Sequence, residues 1–176
     1  MTLVEFADQV ASFVRDNRAW AAPITFALAF GESLAFLSLL LPATVILVAI
    51  AGLLAASGFD IWTLWDVWLA AGLGGTLGYT VSYWIGLFFK NDVSKFWPFR
   101  THPDWLPRGK AYFDKYGVFG VFLGHFFGPV RAVIPVVAGI YGMNQLHFFV
   151  ANITSSFLWA LGVMAPGALG MRWMFG

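Results

Sequence analysis

There is no cysteine anywhere in the chain, which removes disulfides, thiol redox chemistry and cysteine-based zinc sites together. Charge is scarce as well: Asp, Glu, Lys and Arg make up 11% of the 176 residues, against 60% hydrophobic ones. Soluble domains carry roughly a quarter charged and just under half apolar residues. The apolar excess here is too large for a globular core and reads as surface facing lipid. The net charge of +1 is too small to recruit nucleic acid through a global field. Histidine is limited to His102, His125 and His147, and no pair has metal-ligand spacing, so neither a metal nor a cofactor is expected. The N-terminus also lacks the pattern of a cleavable leader, because residues 1–14 have no basic n-region and contain Glu5 and Asp8.

What the chain does have is a series of long apolar runs. Residues 2–15 place Leu3, Phe6, Ala7, Val10, Phe13 and Val14 on one helical face, which predicts an amphipathic helix in the membrane interface or packed on the protein's own surface. Residues 20–57 are almost wholly apolar, with Glu32 the single ionisable group. This run is too short for two spans of ~20 residues plus a turn. Pro42 sits near its middle and removes a backbone donor, which predicts a buried re-entrant hairpin or, more simply, a kinked span. Residues 62–89 form a full-length span lined with Gly72, Gly74, Gly75, Gly78, Ser82 and Gly86, small residues that let a neighbouring helix approach.

Residues 90–115 are the one extended polar stretch. Its Lys/Arg excess, with Lys90, Lys95, Arg100, Arg108, Lys110 and Lys115, places the loop on the cytoplasmic side. Residues 107–116 predict a second interfacial helix. Residues 117–142 repeat the earlier anomaly, apolar and too short for two spans, and interrupted at Pro129 and Pro135. Residues 146–169 are a second full-length span, carrying Asn152, Thr154, Ser155 and Ser156.

The two interrupted runs align. Pro42 is followed ten residues later by Gly52, and Pro129 ten residues later by Gly139, each run ending Ala-Gly. Thr44 then falls opposite Arg131 and Ser38 opposite His125, with Gly78 and Gly86 answering Gly162 and Gly170. Each half reads as interfacial helix, hairpin broken at its Pro and Gly, and spanning helix. Repeat 1 covers about residues 2–89, the basic loop 90–115 and repeat 2 about 107–171, within one membrane domain over 1–176. A hairpin returns the chain to its starting side and one span reverses it, so the halves have inverted topology, as in many secondary transporters. Chance alignment of Ala/Gly/Val-rich sequence is the competing explanation; the shared Pro and Gly spacing favours duplication. The fold class expected is therefore all-α integral membrane, multi-pass, in the inner (plasma) membrane.

Ionisable groups at membrane depth cost about 2.5–3.5 kcal/mol each on insertion scales and are functional candidates by default. Glu32, His125 and Arg131 qualify. Arg131 beside a half-helix N-terminus suits an anion, and phosphate is the natural one because a guanidinium grips it bidentately. Glu32 can pair with Arg131 when the site is empty, or carry a proton where desolvation favours the neutral acid. A purely structural Glu32–Arg131 brace is the alternative. Asn152 can bind substrate or hydrogen-bond a hairpin. No nucleophile–base constellation is apparent, so an enzyme is not expected.

These motifs together resemble the DedA family, also called SNARE-associated or VTT-domain membrane proteins, from about Gly31 to Gly170. Glu32 matches the acid of the family's first hairpin, and Pro42-Ala43-Thr44 stands where a Pro-Gly-acid turn belongs. The run from Gly78 to Gly86 resembles the family's Gly-x-x-x-x-Tyr-x-x-Gly stretch. The run from Gly124 to Gly139, through His125, Pro129, Arg131 and Pro135, resembles its Gly-Arg-Phe…Arg…Pro…Ala-Gly motif. Thr44 replaces an acid and His125 the first arginine of a pair. The resemblance implies a re-entrant-hairpin transporter that translocates a phosphate-bearing lipid, polyprenyl (undecaprenyl) phosphate or a related phospholipid. Arg131, His125, Glu32, Thr44 and Asn152 are the substrate-binding candidates, with Glu32 also the proton-coupling acid. The competing function is a proton-coupled exporter of small cations or drugs. Expected partners are membrane lipids, the phosphate-bearing lipid itself, protons and further copies of the chain.

Overall fold

A computed structural model describes residues 12, 16–35, 37, 43–57, 64–90, 92, 95, 99–127 and 131–175, with the backbone alone for residues 43, 56, 167–168 and 170–175. The predicted helix over residues 2–15, Pro42, Ser38 and Pro129 lie outside the described residues, apart from Ser12. All regular structure among the described residues is helical. After a 3-10 turn at Arg18–Trp20, the helices are α1 (Ala21–Ser33), α2 (Ala43–Ala56), α3 (Trp65–Phe88), α4 (Trp105–Tyr116), α5 (Phe119–Gly124), α6 (Ile134–Ile140) and α7 (Gln145–Phe175).

Helix lengths follow the chemistry of the ends. The first apolar run is two helices, α1 and α2, of 13 and 14 residues, each about 20 Å long at 1.5 Å per residue and short of the ~30 Å hydrocarbon core. They pack on each other, so the run is a hairpin of helices and not one kinked span. Helix α3 has 24 residues and α7 has 31. Gln145–Pro166 in α7 is the one helix among the described residues both long and apolar enough to cross a membrane by length and composition. The glycines, serines and threonines of α3 make it less apolar at comparable length. Asn144 starts α7 by accepting from the backbone N–H groups of Leu146 (3.0 Å) and His147 (3.3 Å), the work of an N-cap side chain. Gly117 ends α4 with φ at +54°, its N–H bonded to the Phe113 carbonyl.

Helix α4 begins two residues earlier than residues 107–116 predict. Trp105, Leu106, Gly109, Tyr112 and Phe113 are half-buried while Arg108, Lys110, Asp114 and Lys115 are exposed, the 3.6-residue periodicity of an amphipathic helix. Its apolar face packs near Phe99, Val136 and Val137.

Packing among the helices is exchange-symmetric. Helix α1 packs on α3 and α2 on α7; α5 packs on α7 and α6 on α3; and α3 packs on α7. Exchanging α1 with α5, α2 with α6 and α3 with α7 leaves that pattern unchanged. Glycines make the crossings possible. A methyl group on Gly74 or Gly78 would stand 2.5 Å from the Phe26 or Phe30 carbonyl of α1. One on Gly86 would run into the Val136 carbonyl of α6, and one on Gly139 into the Tyr83 carbonyl of α3. The glycine correspondence is less complete than the alignment suggests, because Gly162 faces open space where its counterpart Gly78 touches α1.

Three of the residues assigned to breaking the hairpins do not break helices. Gly52 lies inside α2 and Gly139 inside α6, where absence of a side chain serves contact at Gly139. Pro135 occupies the first turn of α6, where a missing N–H removes no helical hydrogen bond. It marks a helix start.

Large apolar side chains lie on the exterior and several polar ones in the interior. Phe88 is 75% exposed and Val45 and Leu146 each 70%. Glu32, Ser33, Ser82, His125, Arg131, Asn152, Ser155 and Ser156 are buried.

Candidate functional site

The ends of the two hairpins meet in the interior. Helix α1 closes with Gly31-Glu32-Ser33, and Leu34 is already extended, with ψ at 133°. Apolar sequence offers no capping side chain there, and α3 supplies one from outside. Ser82 Oγ accepts from the Ala35 N–H at 2.7 Å and lies within donating distance of the Gly78 (2.8 Å) and Ser33 (3.2 Å) carbonyls. This three-way contact, possible because Gly78 brings α1 close, holds the Glu32 turn against α3.

Arg131 reaches that turn from the second hairpin. Its Nη1 donates to Glu32 Oε1 at 3.1 Å and its Nη2 to Ser33 Oγ at 3.1 Å. The side chains are 5% and 9% exposed, so this is a buried ion pair. The Thr44 hydroxyl, from the first turn of α2, donates to the same Oε1 through a short hydrogen bond. Thr44 and Arg131, equivalent in the sequence alignment, therefore converge on one carboxylate oxygen. The guanidinium also sits at the C-terminal end of α1, the end of a helix that favours cations, and its Cζ lies 4.2 Å from the Trp159 ring centroid, in cation–π range. The half-helix expected beside Arg131 is α6, seven residues long, so little of its dipole is available. Any anion drawn here would be met by the guanidinium and not by a helix N-terminus.

His125, at the end of α5, is buried next to α7, with Nδ1 3.4 Å from Ser155 Oγ. Its ring centroid lies 4.5 Å from that of Tyr79 and 5.7 Å from that of Trp159. Arg131, Trp159, His125 and Tyr79 thus form a continuous row of ring and guanidinium contacts across α3, α5 and α7. Glu32 Oε2, Arg131 Nε, His125 Nε2 and Tyr79 OH are buried along it with no hydrogen-bond partner among the described residues.

The Asn152 side chain makes its own set of contacts, and among the described residues only Ser155, which donates to the Asn152 carbonyl at 3.1 Å, joins it to His125. Asn152 Nδ2 donates to the Thr76 carbonyl (3.0 Å) and Thr80 Oγ1 (3.2 Å), and its Oδ1 accepts from Ser156 Oγ (3.1 Å). Those contacts brace α7 against α3, the first long helix and not a hairpin, and engage both the NH2 and the oxygen of the amide. Of the five substrate-binding candidates, the structure brings Glu32, Thr44 and Arg131 into direct contact. It links His125 to them through Trp159 and sets Asn152 apart. Ser33, Tyr79 and Trp159 escaped the sequence reading, which noted Ser155 only among the polar residues of the last span. The only sequence signals for them are adjacency to Glu32 for Ser33, and for Tyr79 its place in the glycine-flanked stretch beginning at Gly78.

Comparisons with known proteins bear on this arrangement. The VTT domain model matches residues 41–169. The chain is 32% identical over 164 residues to the inner membrane protein YabI of Escherichia coli strain K12, covering 89% of this chain and 61% of YabI. It is 34% identical over 148 residues to a membrane protein of Mycobacterium leprae, covering 82% and 64%. It is 29% identical over 150 residues to the inner membrane protein YghB of Escherichia coli, covering 84% and 67%. The chain spans about three fifths of the length of the first relatives it matches. No solved structure matches it.

Proposed function

The chain belongs to the VTT-domain (DedA) family of membrane proteins, and from that premise we propose that it translocates a phosphate-bearing lipid, undecaprenyl phosphate, across the inner membrane. The observation that carries the proposal is Arg131: a guanidinium buried among apolar helices, held on one edge by Glu32 and Ser33, with its Nε unpartnered. A phosphate headgroup is a ligand that a buried guanidinium binds with charge-assisted, bidentate hydrogen bonds. A brace alone is a poor reason to bury an ion pair, since packed apolar residues of similar volume do as well or better.

In this reading the lipid tail stays in the bilayer and only the headgroup enters between the hairpins. The anion competes with Glu32 for Arg131. As the pair separates, the Glu32 carboxylate is left without its cation and takes a proton, which couples headgroup entry to protonation. Thr44 steadies Oε1 through the exchange. The exchange-symmetric packing supports an inverted duplication in which each half presents the same site to one leaflet, with α3 and α7 spanning the bilayer and residues 90–115 on the cytoplasmic side.

The test is a liposome assay with labelled polyprenyl phosphate. Wild-type protein moves the label between leaflets, Arg131→Ala does not, and Glu32→Gln loses its response to a proton gradient. Wild-type movement by Arg131→Ala sinks the proposal. A second reading, a proton-coupled exporter of small cations, draws on the unpartnered Glu32 Oε2. It predicts cation efflux that depends on Glu32 and on the pH gradient, with no lipid movement.

A further inference from the structure

Two tyrosines one helical turn apart on α3 have the same setting and different hydroxyls. Tyr79 is 0% and Tyr83 1% exposed, and both rings pack on Phe148, at centroid distances of 6.4 and 4.3 Å. The Tyr83 hydroxyl donates to the Met143 carbonyl at 2.6 Å. That bond ties α3 to the turn before α7. The Tyr79 hydroxyl has no partner among the described residues.

Buried polar atoms are nearly always hydrogen-bonded, and an exception calls for an explanation. Five such exceptions occur among the described residues: Thr25 Oγ1, Glu32 Oε2, Tyr79 OH, His125 Nε2 and Arg131 Nε. All except Thr25 belong to the site between the hairpins. The Tyr79 ring lies against His125, tilted by 39° with centroids 4.5 Å apart, and His125 neighbours Trp159, over whose ring the Arg131 guanidinium sits. The ring of Tyr79 is therefore packed as a core residue, while its hydroxyl is left unpartnered among the described residues in the row that leads to Arg131.

We propose that Tyr79 is a headgroup ligand, its hydroxyl donating a hydrogen bond to a phosphate oxygen held by Arg131. The inference rests on the lipid-phosphate reading of the site. A phenol suits the task because it donates to an anion without bringing a second charge into the apolar interior, and a hydrogen bond to a charged acceptor is among the strong ones. Its ring cannot swing away, being pinned between His125 and Phe148, so the donor is pre-positioned. Arg131 supplies charge, and Tyr79 supplies direction.

Tyr79→Phe and Tyr83→Phe, each removing one oxygen, separate ligand contact from scaffold. With full-length protein in nanodiscs, polyprenyl phosphate binding is measured by native mass spectrometry and the thermal midpoint by intrinsic fluorescence. Tyr79→Phe is expected to bind at least about tenfold more weakly with an unchanged or raised midpoint, because the hydroxyl it removes has no partner among the described residues. Tyr83→Phe is expected to bind as wild type with a lowered midpoint. Wild-type binding by Tyr79→Phe, while Arg131→Ala binds nothing, overturns the role of Tyr79 and leaves the lipid-phosphate reading standing. A fall in Tyr79→Phe binding that tracks a lowered midpoint also overturns it, as a purely structural role. Failure of the wild type itself to bind the lipid overturns both.

Discussion

The Asn152 network and the Arg131 cluster both bury polar side chains against α7 and meet at Ser155, yet only around Asn152 is every buried side-chain group partnered among the described residues. Around Asn152 the amide is satisfied by Thr76, Thr80 and Ser156, and Thr80 and Ser155 donate to backbone carbonyls of Thr76 and Asn152 in turn. Around Arg131, Glu32 Oε2, Arg131 Nε, His125 Nε2 and Tyr79 OH are left over. In an apolar interior, each unmade hydrogen bond costs about 1–3 kcal/mol. A closed network holds helices together and asks nothing of a ligand. An open one carries a desolvation cost that an incoming anion can offset, so the same residue types serve as scaffold in one place and as site in the other.

The largest effect that could break the comparison concerns the ion pair. Arg131→Leu leaves Glu32 buried without its cation and is expected to cost about 3–5 kcal/mol of stability in detergent unfolding. Combining it with Glu32→Leu is expected to recover most of that while headgroup transport stays lost. A double variant that remains as unstable as the single one would make the pair a brace and close the distinction between the clusters.

Asn152→Ala should come next, at about 1–3 kcal/mol, because it leaves the buried Ser156 hydroxyl without its acceptor. Lipid movement per folded molecule should be unchanged. Loss of transport in well-folded Asn152→Ala would return Asn152 to the substrate-binding set in which the sequence reading put it. The smallest effect is expected from Thr25→Val. Thr25 Oγ1 is buried and unpartnered, but Thr25 lies seven residues before Glu32, about 10 Å along α1 at 1.5 Å per residue. An isosteric methyl there should shift stability by less than about 1 kcal/mol, toward stabilisation, and leave transport alone. A transport defect in this variant would extend the site down α1.

Much of the architecture is legible in the residues themselves. The apolar runs, the interruption between α1 and α2, the small-residue face of α3 and the amphipathic α4 all follow from composition and periodicity, which act within one element. Prolines were harder to read: Pro135 is as conspicuous in sequence as a breaker, but in the first turn of α6 it has no helical hydrogen bond to remove. Gly52 and Gly139 sit at the spacing of a turn and yet lie in helices, and at Gly139 the missing side chain makes room for α3.

From sequence alone, Glu32, His125 and Arg131 stand out because an ionisable group in apolar surroundings is costly wherever the chain goes. That logic finds charges and cannot find Tyr79, Ser33 or Trp159, whose significance depends on which neutral groups end up without partners. Hydrogen-bond satisfaction is a property of distances between elements far apart in the chain, such as the 99 positions separating Glu32 from Arg131. Only the packing of α1, α3 and α7 around the two hairpin ends decided that Asn152 is closed and Arg131 open.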